Sequence, residues 1–398
     1  MEINRDMKLN LIYIFCLIWG SSLVSCGEKK VEISVSNETD IELGPRTVEI
    51  SAPEILHKLD SKGFYITDFN GKEVPSQLTH DSLILFKCQL PPNSSEIYTV
   101  HRSDSIHCYP ASVWGQIYPE RRDDLSYENE LVGFRIYGPC TQKAGEKAYG
   151  YDIFFKYPTE ELIIPQLYAS QTDETLWAKV DSLRKIDNNL AEEFINSFTY
   201  HVDHGKGMDC YAVGPSLGAG VAAILDNDSI CYPWCYDVVE ILDNGPIRFS
   251  ALLKFKTEDK GSLKSLTEYR IITLDSYSYL NSCKVWFEGL EKSADMVIGF
   301  PLRYDSSPII MPEKGILAYA DPTQGPDNGK ALLGIKKNNP SDTSFIKENH
   351  ILLSYKLKPG DTLDYKWGFS WSKTEIPTLE KWVEYLETAD LNYTITLK

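Results

Sequence analysis

Residues 131–137 read Leu131-Val132-Gly133-Phe134-Arg135-Ile136-Tyr137. Val132, Phe134 and Ile136 recur at every second position, and the side chains of a β-strand point alternately to its two faces. The pattern therefore predicts a strand whose apolar face packs on a core. Arg135 and Tyr137 share the opposite face, which we interpret as the floor of a groove.

Short segments of the same kind recur along most of the chain. They are rich in β-branched and aromatic residues and occupy 31–35, 47–50, 83–87, 97–100, 151–156, 248–256, 266–274, 283–287 and 351–358. Turn signals such as Asn70-Gly71, Pro91-Pro92 and Pro359-Gly360 separate many of them. Many short strands at this spacing predict a mainly β protein built as a large antiparallel β-sandwich.

Helical patterns are few. Residues 172–196 are charged and carry apolar residues at helical spacing, which predicts one or two helices inserted between strands. Thr378 is placed to cap a final helix in which Trp382, Tyr385 and Leu386 form an apolar stripe. The sequence has neither an internal repeat nor a sharp change of composition, so we expect one domain over residues 31–398.

The charge of the chain limits its partners. Its 398 residues carry a formal net charge of -17, which argues against nucleic acid because nucleic-acid binding relies on basic surfaces. An anionic ligand stays open, since salt screens charges over about 8 Å and local arginines then matter more than the total.

The N-terminus resembles a bacterial lipoprotein signal. Lys8 precedes an apolar run at 11–19, which is too short to span a bilayer, and Leu23-Val24-Ser25-Cys26 follows. We expect a signal peptide at residues 1–25, an acylated Cys26 and a short tether at 26–30. The protein would then be anchored in the cell envelope, on the periplasmic or the outer-membrane face. A chance cysteine after an ordinary signal peptide is the alternative.

Seven cysteines follow Cys26 at scattered spacing, and Cys231 and Cys235 lack the two-residue gap of a zinc or redox pair. We interpret most of them as small core residues.

The densest group of titratable residues is Tyr200-His201-Val202-Asp203-His204-Gly205-Lys206-Gly207-Met208-Asp209. Alternation over 198–203 predicts a strand that places His201 and Asp203 on one face, with His204 where the strand enters a glycine turn. Three interpretations compete. The histidines can act as general acid and base, they can bind a metal together with Asp203 or Asp209, or they can simply hydrogen-bond the turn.

A second polar group is Pro119-Glu120-Arg121-Arg122-Asp123-Asp124, followed by Tyr127-Glu128-Asn129-Glu130. Guanidinium groups pair bidentately with carboxylates, and acids accept hydrogen bonds from sugar hydroxyls. A solvated loop held by salt bridges is the alternative. A binding role is favoured because this loop leads directly into the strand that carries Arg135 and Tyr137.

These segments also carry a family resemblance. The motifs Tyr118-Pro119-Glu120-Arg121-Arg122-Asp123-Asp124, Phe134-Arg135-Ile136-Tyr137-Gly138-Pro139, the 200–209 stretch, Val213-Gly214-Pro215-Ser216-Leu217-Gly218, Asp243-Asn244-Gly245-Pro246-Ile247-Arg248 and Trp371-Ser372-Lys373 resemble domain-of-unknown-function family 4861. The resemblance covers nearly all of the mature chain, in order. Tyr127 stands where a tryptophan is expected, Cys140 stands where alanine is expected, and the helical insert is longer than usual.

The resemblance implies a galactose-mutarotase-like β-sandwich from a Bacteroidota polysaccharide-utilisation system. It also implies an oligosaccharide dehydratase, similar to one that acts on ulvan fragments. Such an enzyme removes water from a non-reducing-end uronic acid of an acidic oligosaccharide and leaves a 4,5-unsaturated uronate.

That reaction needs a group that neutralises the carboxylate, a base near C5 and an acid at the C4 hydroxyl. Arg135, Arg121 or Arg122 would neutralise the charge, His201 or His204 would be the base, and Tyr137 or the other histidine would be the acid. The remaining substrate-binding candidates are Asp123, Asp124, Glu128, Asn129, Asp203, Asp209 and Tyr211. No metal ligand is assigned; the cofactor is unknown, and a divalent metal near His201 and His204 stays open.

Two further functions stay open. A lipid-anchored protein that binds oligosaccharides without catalysis would use exposed aromatic rings, for which the candidates are Trp114, Tyr118, Tyr127, Trp234 and Tyr236. Core packing is the alternative explanation for these rings. A sugar epimerase or mutarotase rests on fold analogy alone.

Overall fold

The structure is a computed structural model that describes residues 29–303, 307–337, 340 and 343–398. The predicted signal peptide, Cys26 and most of the predicted tether lie outside these residues. The described chain is mostly β, and its strand ladders are antiparallel. The prediction of a mainly β, antiparallel protein is therefore confirmed.

The N-terminal part forms two small sheets that enclose a helix. Its elements are β1 (Lys30–Asn37), β2 (Arg46–Ser51), α1 (Ala52–Leu59), β3 (Gly63–Thr67), β4 (Glu73–Val74), β5 (Ser76–Leu78), β6 (Leu83–Cys88) and β7 (Ser94–Ser103). One sheet has the order β1-β7-β3-β4 and the other has the order β2-β6-β5. Their buried faces share an apolar core with α1.

The next part is a five-stranded sheet interrupted by helices. Its elements are β8 (Trp114–Tyr118), a 3₁₀ helix (Pro119–Arg121), β9 (Asp124–Glu128), β10 (Gly133–Ile136), α2 (Pro139–Lys143), β11 (Asp152–Lys156), α3 (Ile164–Thr172), α4 (Glu174–Arg184), α5 (Asn188–Asn196) and β12 (Gly207–Met208). The strand order is β12-β11-β10-β9-β8. The three helices from α3 to α5 are all inserted between two paired strands, β11 and β12.

The C-terminal half supplies the largest sheet. Its elements are β13 (Ala222–Asp226), β14 (Ser229–Cys231), β15 (Val238–Asn244), β16 (Arg248–Lys254), β17 (Glu258–Lys260), β18 (Leu263–Asp275), β19 (Leu280–Glu288), β20 (Ala294–Pro301), β21 (Ile309–Met311), a 3₁₀ helix (Pro312–Lys314), β22 (Ile316–Pro322), β23 (Lys330–Lys336), β24 (Thr343–Lys347), β25 (His350–Leu357), β26 (Leu363–Trp371), α6 (Leu379–Thr388) and β27 (Thr394–Leu397). Nine strands form one sheet in the order β15-β16-β18-β19-β26-β23-β22-β21, with β17 beside β18. A further sheet has the order β14-β13-β20-β25-β24, and β27 returns to pair with β1.

The main core lies between the nine-stranded sheet and the sheet that contains β10. The Phe134 ring lies 5.0 Å from that of Trp367 and 5.7 Å from that of Phe369, both on β26. Val132 and Ile136 belong to the same buried cluster. The alternation predicted for residues 131–137 is thus confirmed on its apolar side.

The small N-terminal core and the main core are separate apolar clusters joined by polar contacts. Arg248 on β16 pairs with Glu49 on β2 at 2.6 Å, and His80 Nδ1 lies 2.7 Å from the Asp243 carboxylate. One domain over 31–398 stays a prediction.

Both helical predictions are confirmed. The segment predicted at 172–196 contains α4 and α5, and Asp173 caps α4 by accepting hydrogen bonds from two backbone amides. The Thr378 side chain caps α6, in which Trp382 and Leu386 are buried. In the described part of the chain, no helix is long and apolar enough to cross a membrane.

Candidate functional site

A buried cluster of charges lies on the outer face of β10 and β11. Antiparallel pairing places Arg135 directly opposite Asp152, and the Arg135 Nε donates to the Asp152 carboxylate at 2.8 Å. Arg135 also donates to Asp209 at 3.0 Å. The Tyr137 hydroxyl donates to the same Asp152 oxygen at 2.7 Å. Alternation correctly placed Arg135 and Tyr137 on one face, and the guanidinium lies 4.9 Å from the Tyr137 ring centre.

This face is not the open groove that the sequence indicated. The Arg135 side chain is 7% exposed and that of Asp152 is fully buried. Helix α3 covers the face through Tyr168, whose ring packs edge-on against Phe154 of β11. The groove prediction was wrong because the chain inserted after β11 folds back over the strand that precedes it. Tyr137 is half-buried and lies at the margin of this cover.

Burial sets the protonation of the cluster. It raises the pKa of Asp209 above the usual aspartate value, although the Arg135 guanidinium opposes that change. It also raises the pKa of the Tyr137 phenol. The phenol therefore stays protonated at neutral pH and is able to donate a hydrogen bond or a proton.

His201 lies at the surface next to this cluster. Its Nδ1 lies 2.8 Å from the Asp209 carbonyl oxygen, and its ring packs against Tyr200 at 4.5 Å. A carbonyl oxygen only accepts, so Nδ1 carries the proton and the neutral ring keeps Nε2 as an acceptor. His201 is exposed, so this second nitrogen is available for proton abstraction.

The strand predicted at 198–203 was wrong, since residues 197–206 form turns. Asp203 does not face His201. Its carboxylate accepts from the Tyr157 hydroxyl at 2.9 Å and from the Gly205 amide at 2.8 Å. His204 Nε2 lies 3.1 Å from the Thr199 carbonyl oxygen. Asp203 and His204 therefore stabilise the turn, as the third interpretation of this stretch proposed.

Arg121 is the cation best placed to receive an anion. It donates to the Tyr200 hydroxyl at 2.6 Å, and its guanidinium carbon lies 5.4 Å from the ring centres of both Tyr168 and Tyr200. Among the described residues it forms no ion pair within 4 Å, and its buried Nε has no hydrogen-bond partner. Arg122, by contrast, is exposed and pairs with Glu146. Arg121 therefore has a guanidinium without a carboxylate partner among the described residues, whereas the guanidinium of Arg122 is paired with Glu146.

The acids that follow Arg121 are mostly internal. Glu128 is buried, binds Lys156 Nζ at 2.8 Å and accepts from the backbone amides of Ile163 and Ile164. The buried Asn129 donates to two backbone carbonyls. Because their hydrogen-bonding groups are engaged inside the protein, we do not keep Glu128 and Asn129 as substrate ligands.

Asp123 and Asp124 also serve the local structure. The Asp123 carbonyl accepts from the Tyr236 hydroxyl, and the Asp124 carboxylate accepts from the Gly138 amide at 3.1 Å. Burial raises the pKa of Asp124 to about 6. This aspartate supports the start of α2 from within the protein rather than from the surface.

The sequence analysis missed Asp152, Arg303 and Asp321. Asp152 was detectable, because it alternates with the core residues Ile153 and Phe155 along β11, just as Arg135 alternates with apolar residues along β10. Arg303 lies over the Tyr211 ring at 4.8 Å and 3.4 Å from the buried Asp321, whose pKa burial raises to about 7. Tyr211 itself is buried, with a hydroxyl that has no hydrogen-bond partner in the described part of the chain. No local pattern marked Arg303 or Asp321, since they come from strands and loops that are distant from the other site residues in the chain.

The aromatic candidates for sugar binding divide clearly. Tyr118, Tyr127 and Tyr236 are buried and Trp114 is half-buried, whereas Trp234 is 52% exposed. Core packing therefore explains three of the five rings. Within the residues that the structure describes, no group of three or more His, Cys, Asp or Glu side chains is arranged to hold a metal ion.

Comparison with known proteins identifies relatives across most of the chain. A protein of Formosa agariphila, described as uncharacterized protein P7, is 25% identical over 403 residues, which cover 95% of this chain and 96% of that protein. Two Enterococcus faecalis structures match at low similarity: a glycosyl hydrolase family 38 protein (10% identity, TM-score 0.49) and an alpha-mannosidase (9% identity, TM-score 0.47). Each match covers 93% of this chain, which spans 48% and 46% of those two structures.

The family model for DUF4861, a domain of unknown function, matches residues 35–395. That range includes all the described elements of the charge cluster and its cover. It also bears out the resemblance drawn from the motifs at 118–139 and 200–218. The chain belongs to the DUF4861 family.

Proposed function

We propose that this protein is a carbohydrate-active lyase that dehydrates a terminal uronic acid of an acidic oligosaccharide to a 4,5-unsaturated uronate. The observation that carries the proposal is the position of Arg121, a half-buried guanidinium without a carboxylate partner among the described residues, joined through Tyr200 to the exposed His201. An anion-binding group beside a histidine is what proton abstraction next to a carboxylate requires. The family resemblance in the sequence supports the same reaction.

Arg121 binds the substrate carboxylate in this proposal. Its guanidinium contacts the rings of both Tyr168 and Tyr200, and its Nε has no hydrogen-bond partner among the described residues. A guanidinium pairs with a carboxylate through two parallel hydrogen bonds, and this lowers the charge that builds up when the C5 proton leaves. Arg135 is less suited to this task, because Asp152 and Asp209 already neutralise it.

His201 is the general base. Its Nδ1–H donates to the Asp209 carbonyl, so the tautomer is fixed and Nε2 is the acceptor. An exposed imidazole with one ring nitrogen as an acceptor can take a proton from a bound substrate. His201 is preferred to His204 because its ring packs on Tyr200, the residue whose hydroxyl binds Arg121.

Tyr137 is the general acid. Its phenol keeps its proton at neutral pH because burial raises its pKa, and the half-buried side chain lines a crevice with Tyr149 and Trp234. In the reaction His201 takes the C5 proton, the electron pair forms the C4–C5 double bond, and the C4–O bond breaks. The Tyr137 O–H, which donates to Asp152 in the free protein, turns to the departing hydroxyl and protonates it, so water leaves and no oxidant or reductant is consumed.

The reaction is tested by absorbance of the conjugated unsaturated uronate, after incubation of the protein with oligosaccharides that end in a saturated uronic acid. The informative variant is His201→Asn, because an asparagine amide can still donate to the Asp209 carbonyl but cannot act as a base. We expect its turnover to fall by about 10² to 10⁴ while its urea midpoint stays near that of the wild type. His57→Ala, an exposed histidine on α1, is the matched control and should retain activity.

Two further results would contradict the proposal. If His201→Asn and Tyr137→Phe each turned over like the wild type, neither residue would be the base or the acid. If no absorbance developed while the oligosaccharide still bound, the protein would be a binding module, for which the exposed Trp234 is the specific observation.

Anchoring in the cell envelope through Cys26 is a separate proposal, supported by the signal-like sequence before that residue. Mass spectrometry of protein extracted from cell membranes tests it. A mature N-terminus carrying acyl chains at Cys26 is expected, and Cys26→Ser should release the protein into the soluble fraction.

A further inference from the structure

A mostly apolar cleft of about 350 Å³ lies next to α2. Its lining includes Pro139, Gln142, Trp234, Phe255 and Glu258. Ligand pockets in proteins usually measure about 300 to 1,000 Å³ and combine apolar walls with a few polar groups. The cleft therefore has the size and lining of a small ligand site.

Trp234 is the exposed ring of this cleft. Its side chain is 52% exposed, although a tryptophan is usually highly buried. The neighbouring residues hold it in place: Pro233 is buried, and the buried Tyr236 donates its hydroxyl to the Asp123 carbonyl. The indole thus stands out from a fixed segment rather than from a loose loop.

The polar side of the cleft has unused capacity. The Gln142 side-chain nitrogen is buried and has no hydrogen-bond partner among the described residues. A buried donor without a partner costs free energy, which a ligand acceptor would recover. Lys143 and Lys256 also line the cleft, and both are exposed. The Asp237 carboxylate lies 3.7 Å from Lys256 Nζ, and Glu258 pairs with Lys260. Among the described residues Lys143 is the cation of the cleft that forms no ion pair within 4 Å, so it is available to an anionic group of a ligand.

The cleft adjoins the candidate active site. A narrow crevice lined by Tyr137, Tyr149 and Trp234 shares Trp234, Cys235 and Phe255 with the cleft. Tyr137 is the residue proposed as the acid, so the two places lie next to each other on one surface.

We infer that this cleft is a binding subsite for a second sugar ring of the oligosaccharide, an inference that rests on the proposed function. The apolar face of a pyranose ring stacks on the Trp234 indole, and Gln142 donates to a ring hydroxyl. Lys143 attracts a carboxylate or sulfate substituent of the same sugar. The subsite selects chains of acidic sugars over single uronic acids.

Binding of two probes tests the inference in the His201→Asn protein, which is expected to bind without turnover. The probes are methyl glucuronoside, which has one ring, and a tetrasaccharide that ends in a saturated uronic acid. Isothermal titration should show that adding Trp234→Ala weakens tetrasaccharide binding about ten-fold, as loss of an interface anchor typically does. Binding of the one-ring probe should not change. Phe69→Ala, another exposed aromatic residue, is the matched control and should change neither affinity.

Gln142→Leu supplies a second variant that keeps the size of the side chain. It should weaken the tetrasaccharide and not the one-ring probe. Equal tetrasaccharide affinity with and without Trp234 would overturn the subsite, whatever the activity of the protein. If Trp234→Ala weakened the tetrasaccharide but the wild type formed no unsaturated product, the subsite would stand and the proposed dehydratase would fall.

Discussion

Replacing Arg135 by methionine tests whether the buried charge cluster organises this face of the protein. Methionine keeps much of the volume of the arginine side chain but removes its charge. The Asp152 and Asp209 carboxylates would then face each other without a counter-charge, at side-chain exposures of 0% and 3%. Breaking a buried ion pair by removing one partner usually costs about 3 to 5 kcal/mol.

Urea unfolding followed by tryptophan fluorescence measures this cost. At an m-value near the upper end of the usual range, about 3 kcal/mol/M, the midpoint should fall by about 1 M or more. Arg122→Met is the matched control, because Arg122 and its partner Glu146 are both about half exposed at the surface (49% and 54%). Exposed ion pairs contribute about 0 to 1 kcal/mol, so the control should unfold at nearly the wild-type midpoint.

The cost should also depend on pH. Arg135 now lowers the pKa of Asp209 against the effect of burial, so its removal raises that pKa further. An acid whose pKa is raised in the folded state binds more protons folded than unfolded, and its contribution to stability is lost as the pH rises. Arg135→Met should therefore be more destabilised at pH 8 than at pH 5. A loss equal to that of Arg122→Met, or the same loss at both pH values, would refute the reasoning.

Three other variants test the surroundings of the site. Burial raises the pKa of Asp321 to about 7, above about 3.9 in an unfolded chain. Its stabilising effect is therefore complete below pH 4 and is lost as the pH rises through 7. Asp321→Asn should reduce the dependence of the unfolding free energy on pH over that range, and an unchanged slope would contradict this. Gly138→Ala would place a methyl group 2.0 Å from the Asp123 carbonyl oxygen, so its thermal midpoint should fall by several degrees; a midpoint within one degree would show that the backbone there can move. Glu128→Ala removes the carboxylate that lies 2.8 Å from the buried Lys156 ammonium, so the free energy of urea unfolding should fall by about 3 to 5 kcal/mol. A loss below 1 kcal/mol would mean that water enters the space and solvates Lys156.

The parts of the fold that the sequence predicted depend on local periodicity. Apolar alternation marks a strand wherever one face packs on a core, as it does at β10 and β11. Helix α6 was equally readable, because the Thr378 cap and the buried Trp382 and Leu386 are close in sequence. In such segments one short stretch contains all the information that decides its structure.

The same rule failed at residues 198–203 for a reason outside the segment. Phe198 packs against Trp177 at 5.5 Å, whereas Tyr200 packs near Phe154 and Tyr168. These apolar side chains are buried by two different neighbours, the helical insert and the outer face of β11. Alternation in the sequence therefore reflected two separate packing partners rather than one face of a strand.

The pairing within the charge cluster was beyond sequence reasoning. Arg135 meets Asp152 and Asp209, which are 17 and 74 residues away in the chain. The first contact depends on the register of β10 against β11, and the second depends on how the chain returns after three inserted helices. Neither the strand register nor the path of the chain leaves a local pattern in the sequence. The sequence therefore predicted Arg135 and Asp209 as site residues but not that they pair.

The cluster connects the two residues proposed to move protons. His201 Nδ1 is bound to the Asp209 carbonyl, the Asp209 carboxylate to Arg135, and Arg135 lies 3.3 Å from the Tyr137 hydroxyl. A buried ion pair is often no more stabilising than apolar residues of the same volume, so stability alone does not account for three charges beneath α3. Fixing the base relative to the acid does account for them, because small displacements of catalytic groups are costly. Arg135 is then a positioning residue, and Arg135→Met should lower kcat on the uronate substrate while leaving KM nearly unchanged.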